Sequence, residues 1–406
     1  MDNRRMRFFK DLSLSAATAG FVAVLVGFTS SIAIVYQAAR AFGATEAQMT
    51  SWIWALGWGV GLCTLVPSLW WRKPVMVAWS TPGAAVLTTA GAAGGFSLHE
   101  AVGAFMVSAV LITLLGVTGW LERLMRRIPV AIAAALLAGV LARFGLQAFD
   151  AARTAIALVV AMLLAYLVGR RLWPRYAVVL TLVIGIACAA LQGTMAWDKV
   201  QVHLAVPVFV MPQFTPAAMV SLALPLFVVT MASQNLPGVA AIQAAGYGGP
   251  GGLPVSKVLS ITGIATLVLA PFGAYALNLS AITAAICMGR EAHADPQRRY
   301  TAAAVCGVLY IAVGIVGTAV TGLLTAFPPE LVAAIAGLAL LGTIGGGLHA
   351  ALAGERHREA ALVTFLVTLS GVSVAGVGAA FWGVAAGAVA LFIQQYRQPP
   401  SATADR

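Results

Sequence analysis

From residue 14 onward the chain alternates long apolar runs with short interruptions of charge, Pro and Gly. Most runs approach the roughly 20 apolar residues that a helix needs to cross a hydrocarbon core of ~30 Å. Cutting the sequence at its interruptions predicts seven spans, over 14–41, 48–70, 74–93, 98–119, 128–148, 151–168 and 174–191. After a longer loop at 192–215, seven more follow over 216–245, 253–271, 272–289, 299–324, 329–351, 360–375 and 377–396. The stretch WLERLMRR, 120–127, is amphipathic and is expected to lie along the membrane interface.

Two of the fourteen do not read as one continuous helix. The segments 77–90, VAWSTPGAAVLTTA, and 275–289, YALNLSAITAAICMG, each begin with a few residues of extended character. Each then passes through small or polar residues before a short apolar helix: Ser80, Thr81, Pro82 and Gly83 in the first, Asn278, Leu279, Ser280 and Ala281 in the second. Non-helical backbone at membrane depth is tolerated only where protein buries it or a cavity runs beside it. A pair of interrupted segments in corresponding halves of a membrane protein points to a transport site.

The halves do correspond. Near a displacement of 200 residues, PVAIAAALLAGVLARFG from Pro129 resembles PELVAAIAGLALLGTIGG from Pro329. Likewise IVYQAARAFG resembles AAIQAAGYG, and the interrupted segments match with Ser80 opposite Asn278. Seven spans is an odd number, so the second repeat (216–396) enters the membrane upside down relative to the first (14–191). The fold class expected is therefore an all-α polytopic membrane protein, a seven-plus-seven inverted repeat with its third and tenth spans broken.

Composition agrees with a membrane chain: 61% of the 406 residues are hydrophobic and 9% charged. A soluble domain carries about 25% charged residues. The net charge of +11 does not indicate nucleic acid, because it sits in short runs between spans. With the N-terminus in the cytoplasm, all but Arg40, Arg143, Arg153 and Lys199 of the 24 Lys and Arg fall on the cytoplasmic side. Both termini are thus expected inside. The basic, then apolar N-terminus resembles a signal peptide, but its run continues past Val35 and reads as the first span. Cys63, Cys188, Cys287 and Cys306 lie in apolar runs without pairing or metal-ligand spacing. No metal site and no cofactor are expected. HExxH, GxSxG and paired intramembrane Asp are absent from the sequence, which argues against an enzyme.

Inversion brings the positive N-terminal ends of the two half-helices toward one place near the midplane, an arrangement that suits an anion. One helix end contributes at most ~2 kcal/mol, whereas stripping a carboxylate of water costs several. Two ends plus hydroxyl and amide donors could offset that for a monovalent organic anion. Ser80 and Thr81 are natural caps and Pro82 suits a first helical turn. The alternative is that these residues only cap broken helices. Ser233, Gln234 and Asn235 form a second polar group beside Pro237-Gly238, where the eighth span should break or kink. In the first span, Thr29, Ser30 and Ser31 read as helix–helix contacts, with Tyr36 and Gln37 nearer the end as further candidates for substrate contact.

The strings STPGAA (80–85), ASQNLPGVA (232–240) and NLSAITAAICMGREAHADPQRRY (278–300) resemble the bacterial benzoate:proton symporter family. The resemblance extends over most of the chain. It implies the inverted-repeat fold shared with nucleobase permeases and sulfate transporters. In that fold a core domain (spans one to four and eight to eleven, 14–119 and 216–324) moves against a gate domain (128–191 and 329–396). It further implies import of benzoate or a related aromatic carboxylate with protons across the bacterial inner membrane, and a homodimer. One departure stands out. Nucleobase permeases of this fold hold substrate and proton with acidic residues on spans eight and ten; here the matching positions are Ser233 to Asn235 and Asn278. An uncharged site suits an anionic substrate, since like charges repel. Glu291 and His293, just after the tenth span, lie nearest the site along the chain, although a solvated cytoplasmic turn with Asp295 and the Arg pair is the readier reading of them; the alternative proton carrier is the substrate's own carboxyl. A carrier for nucleobases or inorganic anions, or an anion channel, is the alternative function.

Overall fold

The structure is a computed structural model that describes residues 8–29, 31–92, 94–120, 129–197, 204–249, 251–372 and 379–395. In chain order its helices and strands are α1 (Leu14–Thr29), α2 (Ile32–Ala41), α3 (Glu46–Trp71), β1 (Val77–Trp79), α4 (Thr81–Ala92) and α5 (Leu98–Thr118). Then come α6 (Val130–Asp150), α7 (Ile156–Leu172), α8 (Ala177–Leu191) and α9 (Pro216–Ala244). The remainder are α10 (Val255–Leu269), β2 (Leu277–Leu279), α11 (Ile282–Met288), α12 (Tyr300–Thr325), α13 (Pro329–Leu352), α14 (Arg358–Ser370) and α15 (Ala379–Gln395). Among the described residues, seven helices are long and apolar enough to cross a membrane. The amphipathic linker at 120–127 lies, after Trp120, outside the described residues, as do Ser30 and residues 373–378.

Both broken segments are strands that continue into short helices, and the strands pair with each other. β1 runs antiparallel to β2 with Ala78 opposite Asn278. This corrects the match of Ser80 with Asn278. A two-fold relation through the Ala78–Asn278 pair makes Ser80 equivalent to Ser280, and the bonds agree. Ser80 N–H donates to the Ala276 carbonyl (3.2 Å) and Ser280 N–H to the Met76 carbonyl (3.1 Å). Val77 N–H donates to Thr64 Oγ1 on α3 (3.3 Å), and Leu277 N–H to Thr266 Oγ1 on α10 (3.1 Å). Each neighbouring helix thus supplies a threonine for a strand N–H that would otherwise be buried without a partner.

Other boundaries differ from the pattern for local reasons. The first apolar run is two helices, broken around Ser31, whose hydroxyl turns back to the Gly27 carbonyl (2.8 Å) and offers the chain a local alternative to helix. The eighth span does not break at Pro237-Gly238. It runs through as α9 with two wide π turns, Met219–Ala223 and Met231–Asn235, each ending shortly before a proline, Pro225 and Pro237. Proline lacks an N–H and clashes with the carbonyl one turn back; a widened turn makes room for it. The thirteenth span stops at Ser370 rather than 375, because Gly371 adopts the left-handed conformation (φ 70°) that closes a helix.

Glycines set how closely the helices approach. α3 crosses α12 so closely that a Cβ added at Gly57 would come 2.6 Å from Gly314 Cα, and α6 lies so close to α13 that one added at Gly337 would come 2.5 Å from Ala148 Cβ. Lipid supplies no hydrophobic drive between helices, so such close packing carries the association. α1 to α5 pack mainly among themselves and with α9 to α12, and α6 to α8 mainly with α13 to α15.

Candidate functional site

The strand pair lies in the protein interior, with Ser80 and Asn278 fully buried and Ser280 nearly so. Ser80 Oγ caps α4 by accepting from Gly83 N–H (3.0 Å), and it also accepts from Thr230 Oγ1 on α9 (3.0 Å). Ser280 Oγ repeats the arrangement at α11, accepting from Thr283 N–H (3.2 Å) and Thr283 Oγ1 (2.6 Å). With both bonds accepted, each serine keeps its own proton to donate. The half-helices do not abut. Ser80 stands opposite Ala276, four residues from Ser280, so the two caps lie about 13 Å apart at strand rise. Their positive ends face each other across the strands.

Asn278, between them, donates Nδ2 to the Ala276 carbonyl (2.9 Å), while its Oδ1 is buried with no hydrogen-bond partner. Ala276 itself has φ 40°, a left-handed conformation that costs a non-glycine residue free energy and is typical of functional sites. Asn235, at the end of the π turn in α9, accepts from Leu279 N–H (2.9 Å) and so ties α9 to β2. Just beyond, a Cβ at Gly238 would come 2.6 Å from Leu279 Cβ. The structure therefore assembles Ser80, Asn235, Asn278, Leu279 and Ser280 around one strand pair. Ala281 follows, its carbonyl receiving Ala285 N–H in the first turn of α11. Thr81 and Pro82 open α4, half-buried, and Ser233 and Gln234 are half-buried in the π turn. On α2, Tyr36 is half-buried and Gln37 exposed, and neither is hydrogen-bonded to the strand pair.

Two contacts were invisible in the sequence pattern. Trp79 Nε1 donates to Ser31 Oγ (3.0 Å), joining the break in the first span to β1. Arg170, at the end of α7, reaches Glu291 (2.6 Å) across 121 positions of sequence; no spacing rule links two such residues. That ion pair stands in a cavity of about 720 Å³ running beside α6, α9, α11 and α13. Ala285, Met288 and Gly289 line it, but Ser80 and Asn278 do not. Buried Arg299 closes the far end of α11, donating to the Met288 carbonyl (2.8 Å) and the His293 carbonyl (2.8 Å). Nearby, Tyr247 donates to the Pro296 carbonyl (2.6 Å), and burial pushes its phenol up so that it stays a neutral donor. No group of His, Cys, Asp and Glu among the described residues could hold a metal ion.

Residues 10–393 match the family model described as benzoate membrane transport protein. The chain is 50% identical over 371 residues to inner membrane protein YdcO of Escherichia coli, covering 91% of this chain and 93% of that one. It is 38% identical over 384 residues to the benzoate membrane transport protein of Acinetobacter baylyi, covering 95% and 96% respectively. Among solved structures, that of SLC26A9 aligns with a TM-score of 0.50 at 10% identity, over 95% of this chain and 65% of that one, a likeness of fold.

Proposed function

This chain belongs to the family of benzoate membrane transport proteins, and from that premise we propose that it imports benzoate or a related aromatic carboxylate together with protons. It is a membrane transporter, not an enzyme. The observation that carries the substrate reading is the buried strand pair. Its two serine caps, about 13 Å apart, each retain a proton to donate beside a positive helix end, so either can receive one carboxylate, and no acidic side chain stands among the hydrogen-bond partners of the strand pair. A carboxylate gains from the donors and meets no like charge. The aromatic ring then lies against α9.

The proton travels on Glu291 or on the substrate's own carboxyl. In the full reading, fourteen spans form a seven-plus-seven inverted repeat in the inner membrane, as a homodimer with both termini cytoplasmic. A core (14–119 and 216–324) slides against a gate (128–191 and 329–396), exposing the strand pair to each side in turn. Proteoliposomes holding the purified protein test this. An inward proton gradient should concentrate labelled benzoate above its equilibrium level. Uptake that merely equilibrates would leave a channel or uniporter, and movement of uracil or sulfate in its place would overturn the substrate.

A further inference from the structure

A cavity lies between the two helix groups. Its walls are mostly small and apolar, among them Ala134, Ala240, Ala241 and Gly346. Its charged residues are few: Arg170 at the end of α7, Arg290 and Glu291 after α11, and Arg299 at the start of α12. Three cations face one acid, so the cavity carries a net positive charge. Its volume of about 720 Å³ falls within the range of small-molecule sites. Arg299 is committed to the carbonyls of Met288 and His293 and so offsets the negative end of α11. Arg170 is different. It belongs to the opposite wall, and its partner is a carboxylate supplied by the other helix group.

We propose that Arg170 is a carboxylate-binding subsite on the cytoplasmic route, and that Glu291 occupies it in place of the substrate. This rests on the reading of the protein as an aromatic carboxylate carrier. The side chain of Arg170 is 43% exposed and that of Glu291 12%. The guanidinium is thus reachable from the cavity while the Glu291 carboxylate is mostly covered, and an incoming carboxylate competes with Glu291 for it. The guanidinium can take an incoming carboxylate on two parallel N–H groups, while the ring rests on the alanine and glycine walls. Position 342 on α13 is what seats Glu291: a Cβ at Gly342 would stand 2.7 Å from Glu291 Oε1.

The experiment measures half-saturation for benzoate, and for benzamide as the uncharged control, at the cytoplasmic face of inside-out vesicles. Wild type is compared with Glu291→Gln, Gly342→Ala, Arg170→Lys and Arg170→Gln. Freeing Arg170 in Glu291→Gln should tighten benzoate about tenfold, Gly342→Ala, whose methyl crowds the carboxylate seat on Arg170, should weaken it, and Arg170→Gln should weaken it about tenfold with Arg170→Lys between, a shift of one bidentate pair. Benzamide should respond to none of them. Shifts in the same direction for Glu291→Gln and Arg170→Gln, or equal shifts for benzamide, would reduce the pair to a tie between helix groups and overturn the subsite. Wild-type vesicles without saturable benzoate transport would overturn the carrier reading itself, a separate failure.

Discussion

At the scale of single residues, Asn235 separates folding from cargo charge. Its Oδ1 satisfies the Leu279 N–H, so Asn235→Ala orphans a buried donor and should cost about 1–3 kcal/mol. Asn235→Asp keeps the acceptor but brings a negative charge to the strand pair. Since Asn235 is fully buried, the expected outcome is a lowered melting temperature with benzoate uptake lost in the protein that remains folded. Uptake equal to wild type in Asn235→Asp would show that the cargo does not sit here as an anion. Ser80 is also legible in both roles. Ser80→Ala removes a cap and the bond from Thr230, which should destabilise the purified protein by about 1 kcal/mol and weaken benzoate binding as well.

At the scale of elements, the crossing of α9 over β2 depends on Gly238. Gly238→Ala places a methyl 2.6 Å from Leu279 Cβ, and overpacking of that kind costs about 1–3 kcal/mol. A thermal-shift series should show a clear fall for Gly238→Ala and none for Gly354→Ala, where a Cβ meets open space. The two broken segments were readable from sequence because extended character, small polar residues and a short apolar run follow one another at both places. Their pairing was not. Register depends on which backbone groups meet, and the match of Ser80 with Asn278 came from side-chain similarity alone, two residues away from the bonded pairing of Ala78 with Asn278. The π turns of α9 were similarly hidden, since Pro237 signals a disturbance without saying whether the helix breaks or widens. Tyr36 and Gln37 drew notice by their polarity in an apolar run, a property that does not fix which way a helix face points.

At the scale of the molecule, the proposed sliding of one helix group against the other would require the Arg170–Glu291 contact to open and close. Arg170→Cys with Glu291→Cys, bridged by a thiol-reactive crosslinker that carries a cleavable disulfide, should therefore lose benzoate uptake, with activity restored by reductant. Uptake that continues in the crosslinked protein would mean that these groups stay fixed during transport. Charge distribution and hydropathy made the membrane class evident along the chain. A contact across 121 positions arises only when the halves fold together, and Arg170 read in sequence only as one more cytoplasmic cation.

The most direct test of the strand-pair site is equilibrium binding of labelled benzoate to purified Ser80→Ala and Asn278→Ala proteins beside wild type, each checked for a retained melting transition. Binding through the strand pair predicts dissociation constants raised at least about tenfold in both, the equivalent of one lost hydrogen bond to a charged group. Dissociation constants equal to wild type in two folded variants would contradict the account and move the cargo elsewhere in the protein.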